Sequence, residues 1–496
     1  MSIVMKLQHL SRLVAVSILL PLVCACYDYD TYNDTDNNNV TATTPQMATA
    51  NQYINLTITV SSGSGDGTTR APLGGEDGDG REAGFARENF VEGITLMLYE
   101  DEAGINTTST ETKLAFVRYF PVVKREPSTK DKVEVTYTTG DHSLENSGLD
   151  LSKSYHAIVV ANADLTSEFN TESTVKTVRD HTLTKIYDGD VLKADAKNFV
   201  MSLERDYEID FKANKNKTTT TNGKTYYNFD DIYIERLAAR VDFWTKNATY
   251  NDKDYTTPGY VYTATNKTDK FVLTHVTPFN LYNAEEYLLK RTNDTRTPYL
   301  DKETTTNYVV DPEWGNKTTD EAADAAYYAN PLSALVVDET SKTDYRQDAM
   351  SLHNNAAQKA PFTDDGGHEN FILCYPKENT LKAESPLYYY ATGLCIEGYY
   401  YKAGKDEPEH RVYYGYLRHQ GENEGDGTYT IVAKDGLDKE ATGKENVAMN
   451  FGVVRNNIYR ISIEEVKGST EEEKPSIKLQ IKVKKWDTFT HDIIYM

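Results

Sequence analysis

The chain has 496 residues, which at roughly 150 residues per domain leaves room for two to three domains and sets no limit on core size. It is 39% hydrophobic and 26% charged, with 37 Tyr against 3 Trp, a mixture that suits half-buried pleated surfaces and favours an all-β fold with minor helical content. A net charge of −23 and a pI near 4.9, with no basic stripe, argue against nucleic acid as a partner, because phosphate binding depends on Lys and Arg neutralising charge.

Lys6 and Arg12 precede the apolar run Leu13–Val23, too short and wrongly flanked for a membrane span but suited to a signal peptide over residues 1–25. The run ends Val23-Cys24-Ala25-Cys26. A small residue just before a Cys is what a lipoprotein signal peptidase requires, so Cys26 is favoured over Cys24 as the acylated residue. Residues 26–50 are rich in Asp, Asn and Thr and nearly free of aliphatics, a composition that cannot pack a core and reads as a tether between lipid and fold.

From Tyr53 to Val60 the chain alternates, with Ile54, Leu56, Ile58 and Val60 on one face and Asn55, Thr57 and Thr59 on the other. This is the period-two pattern of a strand with one buried side. The segment that follows carries Gly63, Gly65, Gly67, Gly74, Gly75, Gly78 and Gly80 among Asp and Ser, with Arg70 as the sole Arg between residues 13 and 80. Such a loop is flexible and exposed, and an Arg-specific protease would cut it.

Strand patterns resume at Ile94–Tyr99, Lys132–Tyr137 and Tyr155–Ala161, and Thr166–Val178 and Lys193–Leu203 read as short helices. The spacing suits a sandwich and not parallel βαβ units. A Lys, Asn and Thr-rich loop at 212–224 precedes Ile232–Trp244 and marks the expected boundary between a domain over 51–235 and a second over 236–496. Residues 290–369 form a long irregular stretch that implies surface insertions. Strands are then expected at Phe371–Tyr375, Leu387–Tyr390, Tyr399–Tyr401, Val412–Leu417, Asn457–Val466 and Ile477–Val483. The last of these sets Ile477, Leu479, Ile481 and Val483 on one face against Lys478, Gln480, Lys482 and the following Lys484 on the other. Cys374 and Cys395 could form a disulfide in an exported protein, or stay as two buried thiols.

No GxSxG elbow, HExxH pair or phosphate-binding glycine loop occurs. The chain therefore reads as a non-enzyme without cofactor or metal. His353 and His368, near Asp364 and Asp365, read as solvated loop residues. The clusters Tyr388–Tyr390, Tyr399–Tyr401 and Tyr413-Tyr414 could stack on sugars, but consecutive strand residues point to opposite faces, which favours core packing.

The stretch Gly452–Ile461, with Arg455-Asn456-Asn457-Ile458-Tyr459, resembles the Arg-Asn-(Asn/His)-x-Tyr signature of the type V pilins, or fimbrillins, of Bacteroidia, and is most similar to the major subunit of their short fimbriae. Val483-Lys484-Lys485-Trp486 is similar to that family's closing strand, Arg236–Arg240 to its Arg-x-x-Ala-Arg motif, and Tyr53–Ala71 to its first strand, glycine-rich loop and Arg-Ala cleavage site. The acidic stretch after Cys26 also resembles a surface-export signal of Bacteroidia lipoproteins.

The resemblance implies two tandem transthyretin-like β-sandwiches on an outer-membrane lipoprotein anchored at Cys26. It further implies cleavage between Arg70 and Ala71 by an Arg-specific surface protease, loss of residues 26–70 with the first strand and loop at 51–70, and polymerisation by strand exchange into a cell-surface fimbrium that supports adhesion. The implied partners are copies of the chain itself, anchor and tip subunits, and host or bacterial adhesion ligands. Loss of Ile54, Leu56, Ile58 and Val60 would open a groove, and four such aliphatics contribute at most about 6 to 12 kcal/mol. Residues 477–496, with Ile477, Leu479, Ile481, Val483, Ile493 and Tyr495, are the expected donor. An anchor or tip adhesin, or a glycan-binding surface lipoprotein, is the alternative; the cleavable loop around Arg70 argues for a polymerising subunit.

Overall fold

The computed structural model describes residues 45–60, 81–83, 85–101, 103–104, 107–127, 135–204, 206–212, 219–293, 308–317, 327–337, 346–360, 366–382, 384–418, 428–432, 451–468 and 475–487. The first part of the chain forms β1 (Gln52–Val60), β2 (Arg81–Ala83), β3 (Gly93–Tyr99), β4 (Leu114–Pro121), β5 (Lys124–Pro127), β6 (Val135–Thr138), β7 (His142–Ser143), β8 (Ser154–Ala161), β9 (Thr182–Leu183), β10 (Met201–Leu203), β11 (Glu208–Asp210), β12 (Thr219–Thr221) and β13 (Lys224–Arg236). All but β2 and β9 join one eleven-stranded sheet in the order β4-β3-β8-β10-β13-β1-β6-β5, with β7 on β1, β11 on β8 and β12 on β13.

Every residue of β3 is buried, as is most of β8, which is why both read as nearly continuous apolar runs. The core of this sheet gathers Ile54, Leu56, Leu98, Ile158, Phe229 and Ile234. Its last strand, β5, carries Lys124, Arg125 and Glu126 and ends in Pro127, charges and a missing donor that discourage further pairing at that edge.

The chain leaves this sheet at Arg236 and, within Leu237–Ala239, enters the second part. That part comprises β14 (Arg240–Trp244), β15 (Ala248–Asn251), β16 (Gly259–Thr263), β17 (Lys270–Phe279), β18 (Leu281–Tyr282), β19 (Glu286–Tyr287), β20 (Tyr328–Ala329), β21 (Gln347–Asp348), β22 (Asn370–Cys374), β23 (Gly393–Tyr401), β24 (Glu409–Tyr416), β25 (Thr428–Val432), β26 (Asn457–Lys467) and β27 (Ser476–Asp487). One six-stranded sheet runs β2-β27-β26-β14-β22 with β25 on β27, and another runs β15-β16-β17-β23-β24 with β21 on β17. Phe243, Ile461 and Leu479 from the first of these share a core with Phe271, Ile396 and Tyr413 from the second, so the two sheets bury one face each in the manner of a sandwich.

Four local expectations are corrected. Leu387–Tyr390 is a single helical turn, α4, that follows Pro386 and closes with Ala391 N–H donating to Leu387 O at 2.9 Å; a turn buries Leu387, Tyr388 and Tyr390 together, which a strand could not. The helix expected over Thr166–Val178 is only α1 (Val175–Arg179), started by Thr174, whose hydroxyl accepts from Thr177 N–H at 3.2 Å. Lys193–Leu203 holds no helix: it runs through turns and an Asp188–Lys197 bridge into β10. The stretch 290–369, read as irregular, contains β20, β21 and the short helices α2 (Leu332–Val337) and α3 (Ala349–Asn354).

Cys374 and Cys395 are not joined to each other; both are buried thiols. Cys374 ends β22 and Cys395 lies in β23, in different sheets and in separate core clusters, which keeps their side chains apart. Burial also pushes the Cys374 thiol up, away from the reactive thiolate. Both thiols are therefore expected to resist an aromatic disulfide reagent in the native protein and to react fully in guanidinium; rapid native labelling of either would contradict their burial.

Candidate functional site at the seat of the first strand

β1 lies inside its sheet, with a partner on each edge. On one side it runs parallel to β13, from Gln52 beside Thr225 to Val60 beside Ile234, with an irregularity between Leu56 and Ile58. On the other it is antiparallel to β6 (Ile58 beside Tyr137) and to β7 (Ile54 beside His142). Between β6 and β7 on this second edge Thr139 continues the pairing: its N–H donates to Leu56 O and its hydroxyl accepts from Leu56 N–H, each at 3.1 Å.

Ile54, Leu56 and Ile58 are fully buried, and at roughly 1.5 to 3 kcal/mol each they contribute about 4.5 to 9 kcal/mol as an upper bound. Tyr53 stacks on Tyr226 with ring centroids 5.3 Å apart. The approach to the strand is pinned too, with Ala48 N–H on Leu149 O and Leu151 N–H on Gln46 O.

Because β1 and β13 are parallel, Val60 ends two residues short of Arg236, at the crossing to the second sheet. The chain next becomes described at β2, which pairs in parallel with the last residues of β27, Arg81 beside Lys485 and Ala83 beside Asp487. Residues 61–80, which include Arg70, thus link the end of β1 in sequence to a strand paired with the end of β27. Cys26, Arg70, Ala71, Ile493 and Tyr495 lie outside the described residues, and of Val60 only the backbone register is described.

The remaining expected donor residues, Ile477, Leu479, Ile481 and Val483, are buried in the chain's own second core. There β27 pairs along its length with β26 and over Ser476–Gln480 with β25.

A seam of buried charge joins the elements around this crossing, and the sequence pattern does not disclose it. Glu88 is buried just after β2; it accepts from Phe85 N–H at 2.6 Å, from Tyr375 Oη, and from Arg240 Nη1 at 3.3 Å. Arg240 also grips Asp242 through two bonds of 2.9 Å, the bidentate geometry that suits a planar guanidinium. Arg236 donates to Glu88 O at 2.9 Å, to Asn456 Oδ1 at 3.1 Å, and to Asn89 Oδ1.

Arg455 donates through Nη2 to Glu286 Oε1 at 2.6 Å, Glu378 Oε2 at 2.8 Å and Tyr287 O at 2.8 Å. Burial opposes its charge, but Glu378 and Glu286 outweigh that and hold the guanidinium charged. Burial, aided by the Glu378 carboxylate, pushes Glu286 toward its neutral form. Asn456, at φ 55°, makes the turn between Arg455 and β26. The Arg-Asn-Asn signature and the Arg236–Arg240 motif are thus buried structural devices, and no surface site is built from them.

The aromatic clusters divide similarly. Tyr388, Tyr390, Tyr400 and Tyr413 are buried, while Tyr389, Tyr399, Tyr401 and Tyr414 are half-buried. His353 stacks on Tyr250 and contacts Glu369 at 3.1 Å. No grouping of three or more His, Cys, Asp or Glu able to hold a metal occurs among the described residues.

No protein-family model matches the chain, and no curated protein matches it. Among solved structures, the chain is similar to a fimbrilin (fimA) from Porphyromonas gingivalis, at 14% identity over 89% of this chain and 99% of that one, with a TM-score of 0.39. It is also similar to the C-terminally truncated tip fimbrial protein Mfa3 from Porphyromonas gingivalis, at 10% identity over 88% and 100%, TM-score 0.38. A fimbrial assembly protein from Parabacteroides distasonis aligns at 10% identity over 86% and 98%, TM-score 0.31.

Replacing Arg455 by Met would leave Glu286 and Glu378 buried against each other without a cation. Breaking a buried pair from one side typically costs about 3 to 5 kcal/mol, so the midpoint of chemical unfolding should fall accordingly. A loss under about 1 kcal/mol, the scale of an exposed pair, would contradict the arrangement.

Proposed function

We propose that the chain is a polymerising structural subunit of a cell-surface fimbria. It is exported as a lipoprotein acylated at Cys26, cut between Arg70 and Ala71 by an Arg-specific surface protease, and assembled with further copies by donated strands. The observation that carries this reading is β1: an interior strand with both edges paired and three buried aliphatics, followed in sequence by the glycine-rich segment that holds the sole Arg between residues 13 and 80.

Physics connects the cut to assembly. While β1 is covalently attached, its local concentration keeps every competitor out. Once cut, it is an ordinary bound peptide, and a strand from another copy can take its place. Its departure exposes two rows of unpaired backbone groups, on β13 and on β6 with β7, flanking an apolar slot.

Within 477–496, the residues of β27 are already committed to their own core, so the donated part is the end of that stretch, with Ile493 and Tyr495. On this reading residues 51–235 and 236–496 are the two transthyretin-like sandwiches. Anchor and tip subunits complete the fimbria, the lipid holds the uncut subunit at the outer membrane, and adhesion ligands bind the finished fibre.

Limited digestion of the purified chain with an Arg-specific protease, followed by N-terminal sequencing and sizing, tests the proposal. The expected product starts at Ala71 and forms ladders of polymer, whereas Arg70→Ala stays monomeric, as does a chain shortened to Asp487. A product that starts at Ala71 yet remains monomeric, or polymers formed by the Arg70→Ala chain, would overturn it.

A further inference from the structure

Lys317 is buried to 1% exposure at the end of the short 3-10 helix Trp314–Asn316, within the 290–369 insertion. Its ammonium donates to Asp311 Oδ2 at 2.6 Å, to the side-chain oxygen of Asn379 at 2.7 Å and to Thr380 O at 3.2 Å. It also stands 5.1 Å from the centroid of the Tyr282 ring. Asp311 and Asn379 are equally enclosed, at 2% and 0% exposure, beside the cluster of Tyr282, Tyr328, Leu381 and Tyr390.

Asn379 and Asp311 are each held in place by other bonds. Asn379 is fixed at its backbone by reciprocal 2.8 Å bonds to Val453. Its amide nitrogen donates to Tyr390 O and to the Thr392 hydroxyl, each at 2.7 Å, so its carbonyl must face the lysine. Asp311 is set by Glu313 N–H, Thr380 N–H and the Thr380 hydroxyl.

We propose that Lys317 and Asn379 join in an intramolecular isopeptide bond, with Asp311 as the proton relay. The carbon to be attacked is bonded to the oxygen that Lys317 already touches, so the amine lies close to a near-attack separation of roughly 3 to 3.5 Å. Burial shifts Lys317 toward the neutral amine that can attack, against the opposing pull of Asp311.

Asp311 takes one proton from the ammonium, and the freed lone pair adds to the Asn379 side-chain carbon as the carbonyl pair moves onto oxygen. The pair then returns, the bond to the amide nitrogen breaks, and Asp311 delivers to that nitrogen both protons lost by the lysine. One lysine ammonium and one primary amide become one secondary amide and one ammonium ion, with no oxidant and no other reactant. The bond would staple the insertion to the second core across 62 positions of sequence, where it resists both unfolding and pulling.

Tryptic mapping of the denatured full chain by mass spectrometry tests this. Acylated lysine resists trypsin, so Glu303–Lys342 should appear uncut at Lys317, linked to Glu378–Lys382 and lighter than their sum by one ammonia. Lys317→Arg should release both peptides unlinked, and Asp311→Asn, checked for retained β-sheet circular dichroism, should largely abolish the link. Cleavage at Lys317 with Glu378–Lys382 at its full mass in the unaltered chain would overturn the proposal. So would ammonia loss within an unlinked Glu378–Lys382, which signals cyclisation of Asn379 alone.

Discussion

The first strand pairs on both edges, and the rest of the large sheet depends on it. β13 and β6 are not paired with each other among the described strands; β1 bridges them through a parallel ladder on one side and an antiparallel one on the other. A strand at the rim could leave at little cost to its neighbours. An interior strand leaves two ladders open and an apolar slot between them, so the slot must be refilled by something that alternates in the same register. On the proposed reading the position is therefore both a structural necessity and an assembly device once the covalent link to the strand is cut.

The buried ionic seam complements that arrangement. Arg236, Arg240, Arg455 and Arg460 are all at 1% exposure or less, and each has acidic or carbonyl partners drawn from distant parts of the chain. Glu88 and Asp242 serve Arg240, and Glu286 and Glu378 serve Arg455. Such groups add less net stability than apolar residues of similar size, yet removing one partner is costly. They therefore fix where the segment after the loop, the end of β13 and the start of β26 must meet. No member of this seam lies in β1.

The strands were the legible part of the sequence, because period-two alternation survives wherever one face is buried. β1 (Gln52–Val60) adds one residue to the predicted Tyr53–Val60, and β27 (Ser476–Asp487) covers the predicted Ile477–Val483 and runs on to Asp487. What the sequence hides is pairing at long range. In a chain with 76 acidic residues, nothing local distinguishes Glu88 or Glu286 from a solvated carboxylate; only the fold brings Glu286 to Arg455 across 169 positions. Lys317 is similar, since Trp-Gly-Asn-Lys reads as a surface loop until Asp311 and Asn379 close over it. The tyrosine run at 388–390 misled for another reason: aromatic residues favour strands, and here a preceding proline and tertiary burial override that preference in favour of one helical turn.

The central claim is that β1 must leave its seat for polymers to form, and a reversible lock on the strand tests it directly. Asn55 and Asn228 face each other across the parallel ladder, and neighbouring strands place such Cα pairs within the roughly 4.4 to 6.8 Å that a disulfide spans. A chain carrying Asn55→Cys and Asn228→Cys, oxidised and then cut by an Arg-specific protease, is predicted to remain monomeric and to polymerise when a reductant is added. Polymers forming from the oxidised, cut chain at the rate of the unlocked one would contradict the account.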